Sequence, residues 1–133
     1  MHERNRIQQL LEALNQASIS LFPRGRESIR VPKKLGVYVI RDPAEAVVYV
    51  GRTTRAKNGL HQRLRNHMAG KSALVRVHLK GDTNRLRDGF SYQFLEVEND
   101  RERALLEHIA TAWHCPEVLG LSGPSATAGE VVA

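Results

Sequence analysis

Residues 36–67 constrain the fold more than any other part of the chain. Two short runs, 37–40 and 47–50, are rich in valine, isoleucine and tyrosine, and Arg41-Asp42-Pro43-Ala44-Glu45-Ala46 lies between them. β-Branched and aromatic residues suit a pleated backbone, and Asp-Pro is a turn signal. The pattern predicts a β-hairpin. If Ile40 faces Val47, Tyr38 falls opposite Tyr49, and the side-chain period of two puts both phenols on one face. Val37 and Val39 then share the other face with Val48 and Val50. Two of the three tyrosines in the chain meet in this hairpin.

Gly59 opens the second half of the stretch. Leu60, Leu64 and Met68 recur at i, i+4, i+8, the apolar stripe of a helix. Arg63 and His67 are also four apart, one step round from that stripe. Packed across the tyrosine face, such a helix would bring two phenols, a guanidinium and an imidazole into one pocket. Those groups suit binding a phosphate and moving a proton.

Gly36-Val37-Tyr38, then Tyr49-Val50-Gly51, then Arg63 and His67 on a helix resembles the GIY-YIG nuclease family. A third strand over 90–97 and a helix over 99–113 follow, and Leu106-Glu107-His108-Ile109 resembles the family's glutamate segment. The likeness covers roughly residues 36–120. It implies an α/β fold of the α+β type: a small central three-stranded antiparallel sheet flanked by helices, here with an added N-terminal helix.

The resemblance also implies a function, the hydrolysis of DNA phosphodiester bonds at one metal-dependent site. Glu107 would be the metal ligand for a single Mg²⁺ or Mn²⁺, hard cations that prefer oxygen. Arg63 would contact the phosphate. Tyr38 would position or deprotonate the attacking water, with Tyr49 and His67 in support. His67 is the alternative general base, because imidazole titrates near neutrality, whereas a free phenol titrates near about 10. Arg52 holds the place where the family often carries a cation after its second glycine. Family members often place an asparagine about a dozen residues beyond the glutamate. Here Glu117-Val118-Leu119-Gly120 follow Pro116 without one. The alternative reading is therefore a nucleic-acid-binding module on the same fold, with catalysis weak or lost.

Charge agrees with a polyanionic partner. The formal net charge is +6 and the isoelectric point about 10, which favours nucleic acid over an anionic membrane surface. Arg24, Arg26, Arg30, Lys33 and Lys34 crowd the approach to the hairpin and read as a phosphate-tracking strip, with Lys33 and Lys34 nearest the site. Arg55 and Lys57 read as backbone contacts beside it. Aromatic residues make up only 5% of the chain, which argues against a base-stacking platform. Strandedness stays open.

At 133 residues the chain has the length of one domain. Ile7, Leu10, Leu11 and Leu14 predict an amphipathic helix within 1–22, packed on a nuclease domain over 23–120. A homodimer formed through that helix is the alternative use of its stripe. Over 72–80 the alternation of Leu74, Val75, Val77 and Leu79 suits a strand, and Leu74, Val75, His78 and Leu79 suit a helix; the resemblance implies the helix. Asn99 and Glu102 have capping-box spacing. Tyr92 reads as packing. Residues 121–133 read as a flexible tail. A single cysteine, Cys115, and the lack of a secretory or membrane-spanning run predict a cytoplasmic protein without membrane contact.

Overall fold

The computed structural model describes residues 2–119; the expected tail lies outside them. The architecture is α+β. Helix α1 (His2–Gln16) is followed by β1 (Ser20–Leu21), β2 (Gly36–Arg41), β3 (Val47–Arg52), α2 (Gly59–Met68), a π-helical turn (Leu74–His78), α3 (Thr83–Leu86), β4 (Ser91–Glu96) and α4 (Asp100–His114). The sheet has four antiparallel strands in the order β1-β4-β2-β3, not three. The extra strand is the two-residue β1, too short to leave a periodic signal. It pairs with β4 at Ser20–Tyr92 and Leu21–Ser91.

The hairpin forms, but in another register. Ile40 faces Tyr49, Tyr38 faces Gly51, and Arg41 faces Val47. A bulge beside Ile40 and Arg41 absorbs one residue, Val48. Such an insertion changes which face the following residues point to. Val48 therefore joins Tyr38, Ile40 and Tyr49 in one core, while Val37, Val39 and Val50 lie in the other. The two tyrosines are diagonal neighbours, not direct partners. Their rings still stack, with centroids 6.1 Å apart.

The sheet separates two apolar cores. On the tyrosine face lie Leu60, Leu64 and Met68 of α2, with Leu74, Val75 and Leu79 of the π-helical region. Phe22 packs there on Tyr92 at 4.9 Å between ring centroids. On the opposite face the α1 stripe, Ile7, Leu10, Leu11 and Leu14, meets Leu106 and Ala110 of α4. That stripe is consumed inside the monomer.

Several polar residues act as fasteners. Gln93 is fully buried. Its side-chain amide donates to the carbonyls of Leu14 at 3.0 Å and Ala17 at 3.1 Å, and its oxygen accepts from Arg41 Nε at 2.9 Å. It thereby ties the end of α1, whose last carbonyls have no helical partner, to the sheet. Asn99 Oδ1 accepts from the Glu102 amide at 2.9 Å. The return half of the capping box is absent, because the Glu102 carboxylate turns to Arg6 at 3.4 Å. The end of α4 is tied down. His114 bonds Asn15 at 2.7 Å, and Cys115 turns into the left-handed region and donates to Thr111.

No helix among the described residues is long and apolar enough to cross a membrane.

Candidate active site

Close approach of backbone to backbone builds the site. At Gly51 an added Cβ would land on the Tyr38 hydroxyl. The missing side chain is the space that the phenol fills. Gly59 has a φ of +28°, and a Cβ there would strike the Lys34 carbonyl. That same carbonyl accepts from the Leu60 amide at 2.8 Å, and Pro32 accepts from His61 at 3.3 Å. The connector thus satisfies the first amides of α2, which would otherwise be orphaned, and sets the helix over the tyrosine face.

Tyr38, Tyr49, Arg63 and His67 come together there. Tyr38 Oη and His67 Nε2 are 2.8 Å apart, and His67 Nδ1 and Ser72 Oγ are also 2.8 Å apart. Ser72 Oγ already accepts from the Val75 amide at 3.4 Å. This favours the tautomer in which His67 Nδ1–H donates to Ser72 and Nε2 accepts the phenol proton. Tyr49 stacks edge-on to the same imidazole, centroids 4.8 Å apart.

Burial dominates the ionisation of these groups. It pushes the Tyr38 phenol far above its ordinary value, reinforced by Tyr49 and opposed by Arg63. Tyr49 is raised for the same first reason. His67 is pushed down to about 3, by burial first and Arg63 second. At neutral pH Tyr38 is therefore a neutral donor and His67 a neutral acceptor.

Glu107 reaches this cluster from the other side of the sheet. Its helix, α4, packs in the opposite core, and β3 is the sheet edge. Its carboxylate still acts on the ionisation of Tyr38, Tyr49 and Arg63. The site therefore sits at the β3 edge, where the two faces meet. Burial raises the Glu107 carboxyl, and Arg52 opposes that most. Arg52 Nη1 lies 3.2 Å from Glu107 Oε1, but its N–H is not aimed along a hydrogen bond. Among the described residues, Arg52 Nη1 and Arg63 Nε are buried donors without a hydrogen-bond partner.

The remaining sequence-selected cations divide. Arg55 and Lys57 line a cleft of about 300 Å³ with Arg63. Lys33 and Lys34 line a separate cleft with Glu96 and Glu98. The sequence reading missed Ser72, Thr53 and Arg103. Arg103 is 4% exposed. It donates to the carbonyls of Thr53 (2.8 Å), Val97 (3.1 Å) and Glu98 (3.0 Å), and to Asp100 at 2.6 Å. It locks the start of α4, and with it Glu107, to the residue after Arg52. Only its place one turn before Glu107 hinted at this.

One carboxylate suits Mg²⁺ or Mn²⁺. Mg²⁺ keeps several of its own waters and takes further oxygens from substrate phosphates. No group of three His, Cys, Asp or Glu side chains able to share an ion occurs among the described residues. The donor set fits a hard ion held with water and phosphate, not one that needs a protein cage.

No protein-family model matches the chain, and no curated protein matches it by sequence. Fold and site together define an α+β domain with a phenol–imidazole–guanidinium cluster and one carboxylate at a sheet edge.

His67 gives stability a pH dependence of definite sign. Its folded value lies below its ordinary 6.5, so below that pH the unfolded chain takes up a proton that the fold refuses. Stability is expected to fall by about 1.4 kcal/mol per pH unit as pH drops from about 6.5 towards about 3. Glu107 pulls the other way, since protonation relieves its burial. Urea unfolding between pH 7 and 5 should show the slope, and His67→Asn should flatten it. An unchanged slope in that variant would locate the sensitivity elsewhere.

Proposed function

We propose that this chain is a metal-dependent endodeoxyribonuclease of the GIY-YIG kind, hydrolysing DNA phosphodiester bonds at one site. The observation that carries this reading is two buried guanidinium donors without a hydrogen-bond partner: Arg63 Nε, beside the two phenols, and Arg52 Nη1, which only ion-pairs with Glu107 at 3.2 Å. A buried donor left unsatisfied costs about 1–3 kcal/mol, more when charged. A phosphate supplies acceptor oxygens for both, in the planar geometry guanidinium prefers.

In this mechanism Arg63 binds the scissile phosphate and the charge that grows on it. Arg52 shares that task and leaves Glu107 free to hold the ion. A bound Mg²⁺ or Mn²⁺ would supply charge stabilisation to the phosphate and the leaving 3′-oxygen. Water attacks phosphorus, and the P–O3′ bond breaks. The water's proton passes to Tyr38 Oη while the phenol proton moves to His67 Nε2, a transfer that requires the negative charge of the bound phosphate at Arg63 to raise His67 from its low resting value. Tyr38 and His67 then form one proton-accepting unit, with Ser72 fixing the ring. Arg55 and Lys57 hold flanking phosphates.

DNA is the proposed partner, and the lone cysteine, Cys115, fits a reducing cytoplasm. Paired cuts would need a homodimer. The α1 stripe is already used, so such a dimer would meet over the groove between α1 and α4, where Ile109 and Trp113 are exposed.

The test is a cleavage assay on labelled single-stranded, double-stranded and branched DNA with Mg²⁺, Mn²⁺ or EDTA. Cutting is expected with either metal and not with EDTA. Steeply salt-dependent binding without cutting of any substrate would make the chain a binding module instead. Tyr38→Phe and His67→Asn should each lower turnover by about 10²–10⁴-fold, the range of general-base catalysis. Their double variant should be only slightly worse than either, because the two act in series. Multiplying losses would disprove the shared unit.

A further inference from the structure

We propose that the groove on the outer side of α2 is a second phosphate-binding station for the strand that enters the candidate site. This rests on the nuclease reading and extends it beyond the scissile phosphate. The groove has a volume of about 480 Å³, and Arg26, Arg65, Lys71 and Arg87 line it against one carboxylate, Glu27. None of these four cations forms a salt bridge among the described residues. Arg87 donates to the carbonyls of Pro23 at 3.1 Å and Gly25 at 2.9 Å, so its charge is fixed at the wall without being neutralised.

The groove is joined to the site. Gln62 and Asn66 line both this groove and the cleft that holds Arg55, Lys57 and Arg63. They lie one helical turn apart, and Gln62 Nε2 donates to Asn66 Oδ1 at 2.9 Å. That bond leaves the Asn66 amide donors and the Gln62 carbonyl for a ligand. The two residues form a neutral polar saddle across α2, with cations on either side. A helix with its side chains is about 10–12 Å across, and one strand carries a phosphate every 3.4 Å or so of rise. The two cation clusters are thus about three nucleotides apart along a strand. A very short oligonucleotide fills one cleft; a longer one reaches both. The Lys33–Lys34 cleft offers no such continuation, because Glu96 and Glu98 stand in it.

The experiment compares wild type with an Arg26→Glu/Arg65→Glu variant, both checked by thermal unfolding. Binding of a 2-mer and a 16-mer single strand is followed by anisotropy in EDTA across a salt series. Turnover of bis(p-nitrophenyl) phosphate is measured with Mn²⁺. The variant should bind the 16-mer at least about tenfold more weakly, with a salt slope shallower by about 1.4, or about 0.7 per lost cation contact. Its 2-mer binding and its turnover of the small diester should match wild type. The single variant Arg65→Gln should lose about half the slope change. An unchanged 16-mer slope, or equal losses on both lengths, overturns the second station. So does loss of binding to anionic lipid vesicles with DNA binding intact, which would make the groove a membrane contact. If wild type cuts nothing but the length-dependent loss appears, the groove stands and the catalytic reading falls.

Discussion

Glu107→Gln is expected to reduce DNA cleavage by at least about a thousandfold while leaving the fold intact. The amide keeps the shape of the carboxylate but removes its charge, and with it the proposed hold on a hard cation. Losing one well-placed electrostatic contributor to a developing oxyanion costs about 10²–10³ in rate. Losing the ion's anchor removes stabilisation of the phosphate and of the leaving oxygen together. Stability should change little, or rise slightly. Glu107 is largely enclosed, and burial raises its ionisation, so a neutral group relieves that cost. Arg52 loses a partner 3.2 Å away that it does not properly hydrogen-bond. The measurements are single-turnover cleavage with saturating Mn²⁺ and urea unfolding of both proteins. Cleavage within tenfold of wild type would remove Glu107 from the chemistry. A large drop in stability would mean that Arg52 depends on it structurally.

Gly51→Ala should be the most damaging single-methyl addition in the hairpin. The new Cβ would overlap the Tyr38 phenol at its hydroxyl oxygen and ring tip. Tyr38 is fully buried and bonded to His67, so the ring has nowhere to swing. Overpacking of this kind costs typically 1–3 kcal/mol, and the upper end, about 3 kcal/mol, is expected here. Activity should fall with it, because the phenol must leave His67. Gly81→Ala is the contrast. Nothing lies within 4 Å of a Cβ there, but φ is +83°, so the loss should be about 1 kcal/mol of backbone strain with the site untouched. Denaturant midpoints of the two variants separate sterics from conformation. Adding Tyr38→Leu to Gly51→Ala should recover part of the loss. If both glycine variants behave alike, the clash at Gly51 is not real.

The hairpin, its two tyrosines and the Arg63–His67 helix were legible because each rests on local periodicity. The register was not. A bulge costs one residue, and no feature of residues 41–48 marks which one is set aside. The tyrosines nevertheless meet, since diagonal neighbours on a sheet lie close enough for rings to touch. Glu107 was picked out by resemblance to a segment, and nothing in the sequence placed it at the far side of an edge strand. Arg103, Gln93 and Ser72 were illegible for a common reason. Each looks like an ordinary solvent-facing polar residue until both faces of the sheet are covered, and only then must it find partners. Lys33 and Lys34 carry a structural part that their charges did not announce: the Lys34 carbonyl sets the start of α2, and both residues line a cleft with two glutamates.

Trp113 has a consequence for anyone who watches this protein by light. It is the only tryptophan, it is 69% exposed, and it lines the α1–α4 groove, on the side of the sheet opposite the phenols. Its emission should respond when α1 peels from α4 or when a second molecule covers the groove. It should stay silent when DNA enters the tyrosine face. Intrinsic fluorescence is therefore a gauge of helix docking, and a flat signal on adding DNA says nothing against binding.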